Sequence, residues 1–417
     1  MTAPSVADAS RVWGRIGLLS FGGPAAQIAL MHRIVVEERG WMTERQYLGA
    51  LSFCMLLPGP EAMQLATYSG WRLHGVRGGL IAGLLFVLPG ALVIAVLAWA
   101  YAVFGTVPLV AAAFLGIKAA VLAIVLEALL RVARKALKSP IHWIVAALSF
   151  VAIYVFAAPF PAIIAAVGLL GFALARGSPS AYTRPRAGQA TLRTVIIWLS
   201  IWWAPVLAIW VFGGADILLQ IGIFFSKLAV VTFGGAYAVL AYMAQDVVIA
   251  KEWLTAGQMM DGLGLAETTP GPLILVTEFV GFQAGFTQGG LWLAIAAALL
   301  TLWVTFAPCF LWIFAGAPYV DWITEHPRLR GALDAITAAV VGVILNLSLW
   351  FALHVLFDTV TRTQIGLASL WIPDPASINI AAVGIAVLSA YLLLVRHLGL
   401  GWVLCIAAAA GTLLTLL

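Results

Sequence analysis

Apolar residues run along the whole chain in stretches of about 20, separated by short polar or glycine- and proline-containing turns. A helix of about 20 apolar residues spans the hydrocarbon core of a bilayer. The pattern therefore predicts about thirteen transmembrane helices, within a range of roughly 10 to 14. The predicted segments are 12–31, 47–70, 79–103, 107–130, 141–158, 161–175, 194–213, 218–245, 259–283, 289–317, 331–357, 377–395 and 398–417.

Composition supports the same class of protein. The 417 residues are 63% hydrophobic and 9% charged, whereas a soluble domain is about half apolar and about a quarter charged. In hydrocarbon the backbone must satisfy its own hydrogen bonds, which favours helices. The chain is therefore predicted to be an all-α polytopic membrane protein whose natural partner is the lipid bilayer, with no separate soluble domain.

The loop charges predict an orientation. If the N-terminus is cytoplasmic, most loop lysines and arginines lie on the inside, and the outside loops hold only Arg33, Arg39, Arg45 and Arg362. Basic loops favour the cytoplasmic side, so we expect the N-terminus inside and the C-terminus outside. The net charge of +5 is spread over these loops and does not indicate a nucleic-acid partner. Cys54, Cys309 and Cys405 lie far apart and match no metal pattern, so we expect neither a metal nor a cofactor.

The chain contains an internal repeat. A shift of 212 places SFGGPAAQIALMHRIVV (20–36) on TFGGAYAVLAYMAQDVV (232–248). The same shift aligns a tryptophan, a threonine, a glutamine and a Pro-Gly-Pro turn: Trp41 with Trp253, Thr43 with Thr255, Gln46 with Gln258, and 58–60 with 270–272. Later the shift becomes 219, and Pro89 then meets Pro308. Apolar composition alone does not align such residues, so we infer a duplication.

The duplication predicts the domain organisation. Residues 1–175 form a first transporter repeat and residues 214–417 a second. Between them, 176–213 comprises a basic cytoplasmic linker and one connecting transmembrane helix. One extra crossing turns the second repeat upside down, so we expect two inverted-topology repeats with broken helices, an architecture that recurs among transporters.

Two pairs of glycine- and proline-containing breaks interrupt the repeats at equivalent positions. One is Phe-Gly-Gly and the other Pro-Gly-Pro, which a threonine precedes in the second half. Their residues are Phe21, Gly22, Gly23, Phe233, Gly234 and Gly235, and Pro58, Gly59, Pro60, Thr269, Pro270, Gly271 and Pro272. A break frees backbone N–H groups at the start of the following half-helix, and these suit an anion. We assign these residues to substrate binding; the alternative, preferred for Pro89 and Pro308, is that they only kink or pack helices.

Charged residues within the predicted spans narrow the chemistry. Arg15 and Lys227 are repeat equivalents that precede each Phe-Gly-Gly, and we expect them to compensate a bound anion. Snorkelling to the interface is the alternative for Arg15. Lys118 is a third such cation, which either acts in function or pairs with Glu127 or another acid.

The acids in these spans include Glu61, Glu267 and Glu278, and their placement differs between the repeats. A carboxylate shielded from water can carry a proton. We assign proton coupling to Glu61 first and Glu267 second. The alternative for Glu61 is a cap on the N–H groups at a half-helix start. The widely spaced acids form no catalytic cluster, so we do not expect an enzyme.

These residues resemble the chromate ion transporter family, in its long two-domain form. The resemblance rests on FGGP, on Gly-Trp-Met-Thr before PGP in the first half, and on FGG, Trp-Leu-Thr and TTPGP in the second. It implies secondary transport of chromate, usually outward across the bacterial inner membrane and driven by the proton-motive force. Some relatives are linked to sulfate, and single-domain relatives work as pairs.

The resulting hypothesis is alternating access. The oxyanion lies between the two break regions, one repeat rocks against the other, and a carboxylate binds a proton in exchange. A sulfate transporter and a passive anion channel of the same fold stay open as alternatives. The segment 398–417 is rich in small residues and is a candidate homodimer contact.

Overall fold

The computed structural model describes residues 4–175, 188–233, 236–320, 322, 326–366 and 368–416. Five helices of this described part are long and apolar enough to cross a membrane, and four shorter apolar helices accompany them. The prediction of an all-α polytopic membrane protein is confirmed. Most of the predicted linker, residues 176–187, lies outside the described residues.

The helices follow one another along the chain with few long connections. They are α1 (Val6–Leu19), α2 (Gly23–His32), α3 (Glu44–Cys54), α4 (Glu61–Phe104), α5 (Pro108–Ala136), α6 (Pro140–Tyr154), α7 (Phe160–Leu174), α8 (Gln189–Phe212), α9 (Asp216–Val231), α10 (Ala236–Gln245), α11 (Ala256–Thr268), α12 (Val276–Gly316), α13 (Pro327–Leu356), α14 (Ile380–Ala390) and α15 (Leu400–Leu416).

One small hairpin interrupts this helical pattern. Strand β1 (Val360–Ile365) pairs antiparallel with β2 (Ala368–Pro373), with Val360 opposite Pro373. From the sequence this stretch is predicted only as a connection between the spans 331–357 and 377–395. A short surface hairpin lacks the long apolar pattern on which that prediction relied.

Helix α4 folds back on itself. Its backbone leaves the helical region at His74 and Gly75, where Gly75 has φ 61°. A Cβ built on Gly70 would lie 2.3 Å from the carbonyl oxygen of Gly78, although eight residues of straight helix cover about 12 Å. The chain therefore reverses between a first arm (61–73) and a second arm (76–104).

Helix α12 repeats this reversal. Its non-helical residues are Gly289 and Gly290, and a Cβ on Gly285 would lie 2.7 Å from the carbonyl oxygen of Leu293. Its arms are 276–288 and 291–316. The reversals are shifted by 215 rather than 212, because a three-residue 3₁₀ turn, Leu273–Leu275, precedes α12 and has no counterpart before α4.

The segments between the breaks also repeat in detail. In both repeats a short π-helical stretch is followed by a turn that ends at a tryptophan. The backbone N–H of Trp41 donates to the carbonyl of Val35 at 2.8 Å, and the backbone N–H of Trp253 donates to the carbonyl of Val247 at 2.9 Å. Thr43 and Gln46 then form a capping box at the start of α3. Thr255 and Gln258 exchange the same two hydrogen bonds at the start of α11. The aligned residues thus have matching structural roles.

Contacts divide the chain into two compact units, each of which draws on both halves of the sequence. The first unit comprises Met1–Trp99, Ala175–Ala236 and Thr269–Arg330, and in it α12 packs on α8 and α9. The second comprises Ala100–Leu174, Tyr237–Thr268 and Gly331–Leu417, and in it α5 packs on α14 and α15. The predicted sequence boundaries at 175 and 214 stay predictions.

Candidate functional site

Helices α1 and α9 end in the same way, directly before each Phe-Gly-Gly. Ser20 follows the last residue of α1, and its Oγ donates to the carbonyl of Ile16 at 2.6 Å. Thr232 follows α9, and its Oγ1 donates to the carbonyl of Leu228, also at 2.6 Å. Both side chains are buried. Because each residue stands at the end of its helix, its main-chain carbonyl has no N–H donor within that helix and is left to accept another donor.

Those two carbonyls accept from the Pro-Gly-Pro turns of the opposite repeats. The N–H of Gly59 donates to the carbonyl of Thr232 at 2.8 Å, and the N–H of Gly271 donates to the carbonyl of Ser20 at 2.8 Å. The two bonds are related by the shift of 212. Each break thus satisfies a polar group that the other repeat's break exposes, as backbone buried at membrane depth requires.

Two buried glutamines brace the turns. Gln27 on α2 donates through Nε2 to the carbonyl of Gly271 at 2.7 Å and to that of Ser20 at 3.3 Å. Gln64, in the first arm of α4, donates to the carbonyl of Pro58 at 2.7 Å. The shift of 212 places Val239 where Gln27 stands, and valine has no side-chain donor. The hydrogen bonds of Gln27 therefore have no equivalent at that position of the second repeat.

The predicted helix kinks also reach these turns. A Cβ on Gly90, which follows Pro89, would lie 2.1 Å from the carbonyl oxygen of Pro270. In the other repeat, a Cβ on Gly59 would lie 3.1 Å from Sγ of Cys309, which follows Pro308. The second arm of each folded-back helix therefore packs against the opposite Pro-Gly-Pro turn, which agrees with a packing role for Pro89 and Pro308.

Both turns are enclosed by protein. Gly59 and Pro60 are buried, as is every residue from Ala62 to Gly70. In the second repeat the buried run extends without interruption from Thr269 to Gly285. The segments 47–70 and 259–283 are predicted as spans from the sequence, whereas the first arms of α4 and α12 turn back after about one dozen residues, as re-entrant segments do.

The first Phe-Gly-Gly is the more open of the predicted binding elements. Phe21 and Gly22 are exposed and Gly23 is half-buried. Gly22 adopts a left-handed φ of 85°, and α2 begins at Gly23 without a side-chain cap. Such a helix start presents N–H groups and a positive dipole end to a ligand. In the second repeat Phe233 is half-buried, and Gly234 and Gly235 lie outside the described residues.

The acids differ between the two repeats. Glu61 is half-buried in the first turn of α4, where a carboxylate compensates the helix dipole. Glu267 is half-buried near the end of α11. Glu278, to which the sequence analysis gave no role, is buried in the first turn of α12, and its Oε2 has no hydrogen-bond partner within the described part of the chain.

The predicted cations separate into two groups. Arg15 and Lys227 lie on exposed faces of α1 and α9 at equivalent positions. Lys118 on α5 lies in the second unit and pairs with Asp261 on α11, with Nζ 3.2 Å from Oδ2. Pairing with another acid, one of the two alternatives stated for Lys118, is thus observed. Glu127, the alternative partner, is instead bonded to Arg131.

Three of these residues escaped the sequence analysis. Gln27 lies within the aligned segment, but a glutamine opposite a valine carries no repeat signal. Gly90 was overlooked beside Pro89, although a glycine in a membrane helix allows another backbone to approach closely. Asp261 lies inside the predicted span 259–283, where an acid warrants a functional hypothesis, and that rule would have found it.

The fold and this site define a polytopic membrane protein built from two copies of a broken-helix unit. Backbone hydrogen bonds join the helix breaks of one copy to those of the other. The chromate transporter family matches residues 7–172 and 219–412, which covers most of both copies. The chain belongs to the chromate transporter family. It is therefore a multi-pass membrane protein of an ion-transporting family.

Relatives of known name agree with this membership. The chain is similar to a chromate transport protein of Pseudomonas aeruginosa, with 35% identity over 79% of this chain and 77% of that protein. It is similar to a chromate transport protein of Cupriavidus metallidurans, with 29% identity over 79% and 78% of the two chains. An uncharacterized transporter of Methanocaldococcus jannaschii is 25% identical over 84% and 86%. No solved structure matches the chain.

Proposed function

We propose that this protein exports chromate across the bacterial inner membrane by proton-coupled alternating access, with its N-terminus in the cytoplasm. The family membership over both halves supports chromate as the substrate. The observation that carries the site is the pair of crossed hydrogen bonds from Gly59 to Thr232 and from Gly271 to Ser20. They join both breaks of both repeats within one compact unit.

The chemistry of the breaks suits a tetrahedral dianion. The uncapped start of α2 offers N–H groups and a positive dipole end, and Gly22 leaves room for close approach of a ligand to the backbone. Arg15 and Lys227 supply compensating charge as the repeats move. The substrate-binding residues in this proposal are the two Phe-Gly-Gly and two Pro-Gly-Pro turns with Thr269.

Proton coupling is assigned to Glu61 first and to Glu267 second. Glu61 lies at the start of the folded-back first arm of α4, so its charge state acts on the N–H groups of that helix start. Protonation there would change the attraction of the site for an anion. Glu267 precedes the second Pro-Gly-Pro by three residues and acts on the other turn.

The test is chromate flux into inverted vesicles that contain the purified protein, with and without an inside-acid pH gradient. We expect saturable uptake that the gradient accelerates. Excess sulfate reports selectivity, since strong competition would indicate a general oxyanion transporter. A chromate flux that is the same with and without the pH gradient would favour a passive anion channel and would refute proton coupling. Absence of chromate flux from folded protein would refute the proposed substrate.

A further inference from the structure

Within the described residues, an ion pair between a half-buried lysine and a buried aspartate joins α5 to α11 in the second unit. Nζ of Lys118 lies 3.2 Å from Oδ2 of Asp261, and the two side chains are 23% and 4% exposed. The hydroxyl of Tyr101 donates to the same Oδ2 at 2.7 Å. The other oxygen, Oδ1, is buried and has no hydrogen-bond partner within the described ranges. One ammonium and one hydroxyl thus hold a carboxylate whose second oxygen is unsatisfied, an expensive arrangement for a purely structural pair.

The ammonium of Lys118 also lies beside the first turn of α11. A Cβ built on Gly257 would be 3.3 Å from Nζ. The capping box of Thr255 and Gln258 satisfies the N–H of Gln258, at 3.2 Å from Oγ1 of Thr255. Helix geometry gives the N–H groups of Ala256 and Gly257 no acceptor within α11. A cation, a positive helix end and a position without a side chain therefore coincide, and all three favour an anion.

This arrangement occurs in one repeat only. The shift of 212 places Glu44, Arg45 and Gly49 where the second repeat has Ala256, Gly257 and Asp261. The first turn of α3 thus carries large charged side chains at its two leading positions, and no acid stands one turn later. The arrangement is therefore not a requirement of the repeated fold, because the first repeat folds into the same capping box without it.

We propose that Lys118 and the first turn of α11 form a further binding site for the transported oxyanion, and that Asp261 occupies Lys118 when no anion is bound. The proposal rests on the proposed function, since the ligand is the oxyanion that the protein transports. Chromate would replace Asp261 as the partner of the ammonium. Of the groups facing Asp261, α5 contributes Lys118 and the end of α4 contributes Tyr101, while α15, which also packs on α11, carries no charged residue.

Removal of the charge of Lys118 and removal of the charge of Asp261 should change the affinity for chromate in opposite directions. This distinguishes a binding site from a structural ion pair. Chromate binding to the purified full-length protein in detergent is measured by isothermal titration calorimetry. We expect Lys118→Gln to weaken the binding step that belongs to this further site by about tenfold or more, the effect of one lost charge-assisted hydrogen bond. We expect Asp261→Asn to strengthen binding several-fold, because the internal competitor is gone. A structural pair predicts that both variants weaken binding together.

Controls keep the outcomes separate. Glu127→Gln removes a carboxylate from the ion pair with Arg131 on the same helix and should leave the dissociation constant unchanged. Size-exclusion chromatography reports folding. If Asp261→Asn does not remain monodisperse, the double variant Lys118→Gln/Asp261→Asn, which buries no charge, should bind as weakly as Lys118→Gln.

Wild-type affinity in Lys118→Gln or in the double variant, or weaker binding in folded Asp261→Asn, would overturn the proposed site. In each of these cases wild-type transport of chromate leaves the proposed function standing. A wild-type protein that neither binds nor transports chromate would instead refute the proposed function.

Discussion

Gly59 donates its backbone N–H to the carbonyl oxygen of Thr232 across 2.8 Å, and Gly271 does the same to Ser20. Each bond runs from the Pro-Gly-Pro turn of one repeat to the residue before the Phe-Gly-Gly of the other. Each break thus satisfies part of its backbone through the other repeat. The two repeats therefore depend on each other at the position where the helices are interrupted.

Substitution of the turn glycines should destabilise the protein. Gly59 has φ 120° and Gly271 has φ 89°, a region that disfavours side chains by about 1–2 kcal/mol. A Cβ on Gly59 would also lie 2.7 Å from Nε2 of Gln64. We expect Gly59→Ala and Gly271→Ala to lower the thermal unfolding midpoint in detergent, Gly59→Ala by more than Gly75→Ala, which has φ 61° and open space. Wild-type stability of Gly59→Ala would contradict the geometry of the turn.

Gly90→Ala tests the packing of α4 on the opposite turn. The added Cβ would lie 2.1 Å from the carbonyl oxygen of Pro270, so backbone must move. We expect a loss of about 1–3 kcal/mol in unfolding free energy and slower chromate transport. The matched control is Gly14→Ala, where nothing lies within 4 Å of the new Cβ and the helix should gain stability. Equal behaviour of the two variants would show that α4 does not pack there.

Gln27→Leu tests the one-sided brace. The substitution keeps a similar volume but removes the donor to the carbonyls of Gly271 and Ser20. A buried carbonyl that loses its donor lowers the free energy of unfolding by about 1–3 kcal/mol. Denaturant unfolding of the purified protein would detect this loss. Gln288→Leu, at an exposed position, is the control and should change little. A Gln27→Leu protein as stable as Gln288→Leu would argue against the brace.

The charge assignment predicts a specific defect in Lys227→Ala. We expect a higher KM for chromate, about tenfold for the loss of one charge-assisted contact, and partial rescue by Lys227→Arg. Arg15→Ala should act in the same direction because it occupies the equivalent position. Lys138→Ala, at an exposed position after α5, provides the control. A folded Lys227→Ala protein with normal transport kinetics would remove Lys227 from the site.

Glu61→Gln and Glu267→Gln test proton coupling. We expect either variant to lose the acceleration of chromate uptake by a pH gradient while it retains exchange of chromate for chromate, since exchange needs no net proton movement. Vesicle uptake of labelled chromate with and without the gradient measures both activities. Gradient-driven flux that survives in the double variant would transfer the coupling role to another group.

Much of the local structure was predictable because the duplication marks it. The alignment of Thr43 with Thr255 and of Gln46 with Gln258 pointed to equivalent positions, and both pairs form capping boxes. The breaks at 58–60 and 270–272 likewise separate helices as expected. Side chains with the same local structural role occur at equivalent positions of both repeats, so aligning the chain with itself detects them.

The pairing between repeats was not predictable in the same way. The bond from Gly59 to Thr232 involves only backbone atoms, so no side chain in the sequence reports it. Gln27 and Asp261 act across helices at positions without a repeat equivalent. By contrast, the reversal at His74 and Gly75 falls between the predicted spans 47–70 and 79–103, so the spacing of the apolar segments did predict it.

The most direct test of the account measures the initial rate of chromate uptake against chromate concentration in liposomes, for the wild-type protein and for Gly59→Ala/Gly271→Ala. The account predicts saturable uptake by the wild-type protein and loss of most of that uptake in the double variant, provided that size-exclusion chromatography shows it to be folded. A folded double variant with the wild-type rate would contradict the claim that chromate passes through the site where the two repeats hold each other's breaks.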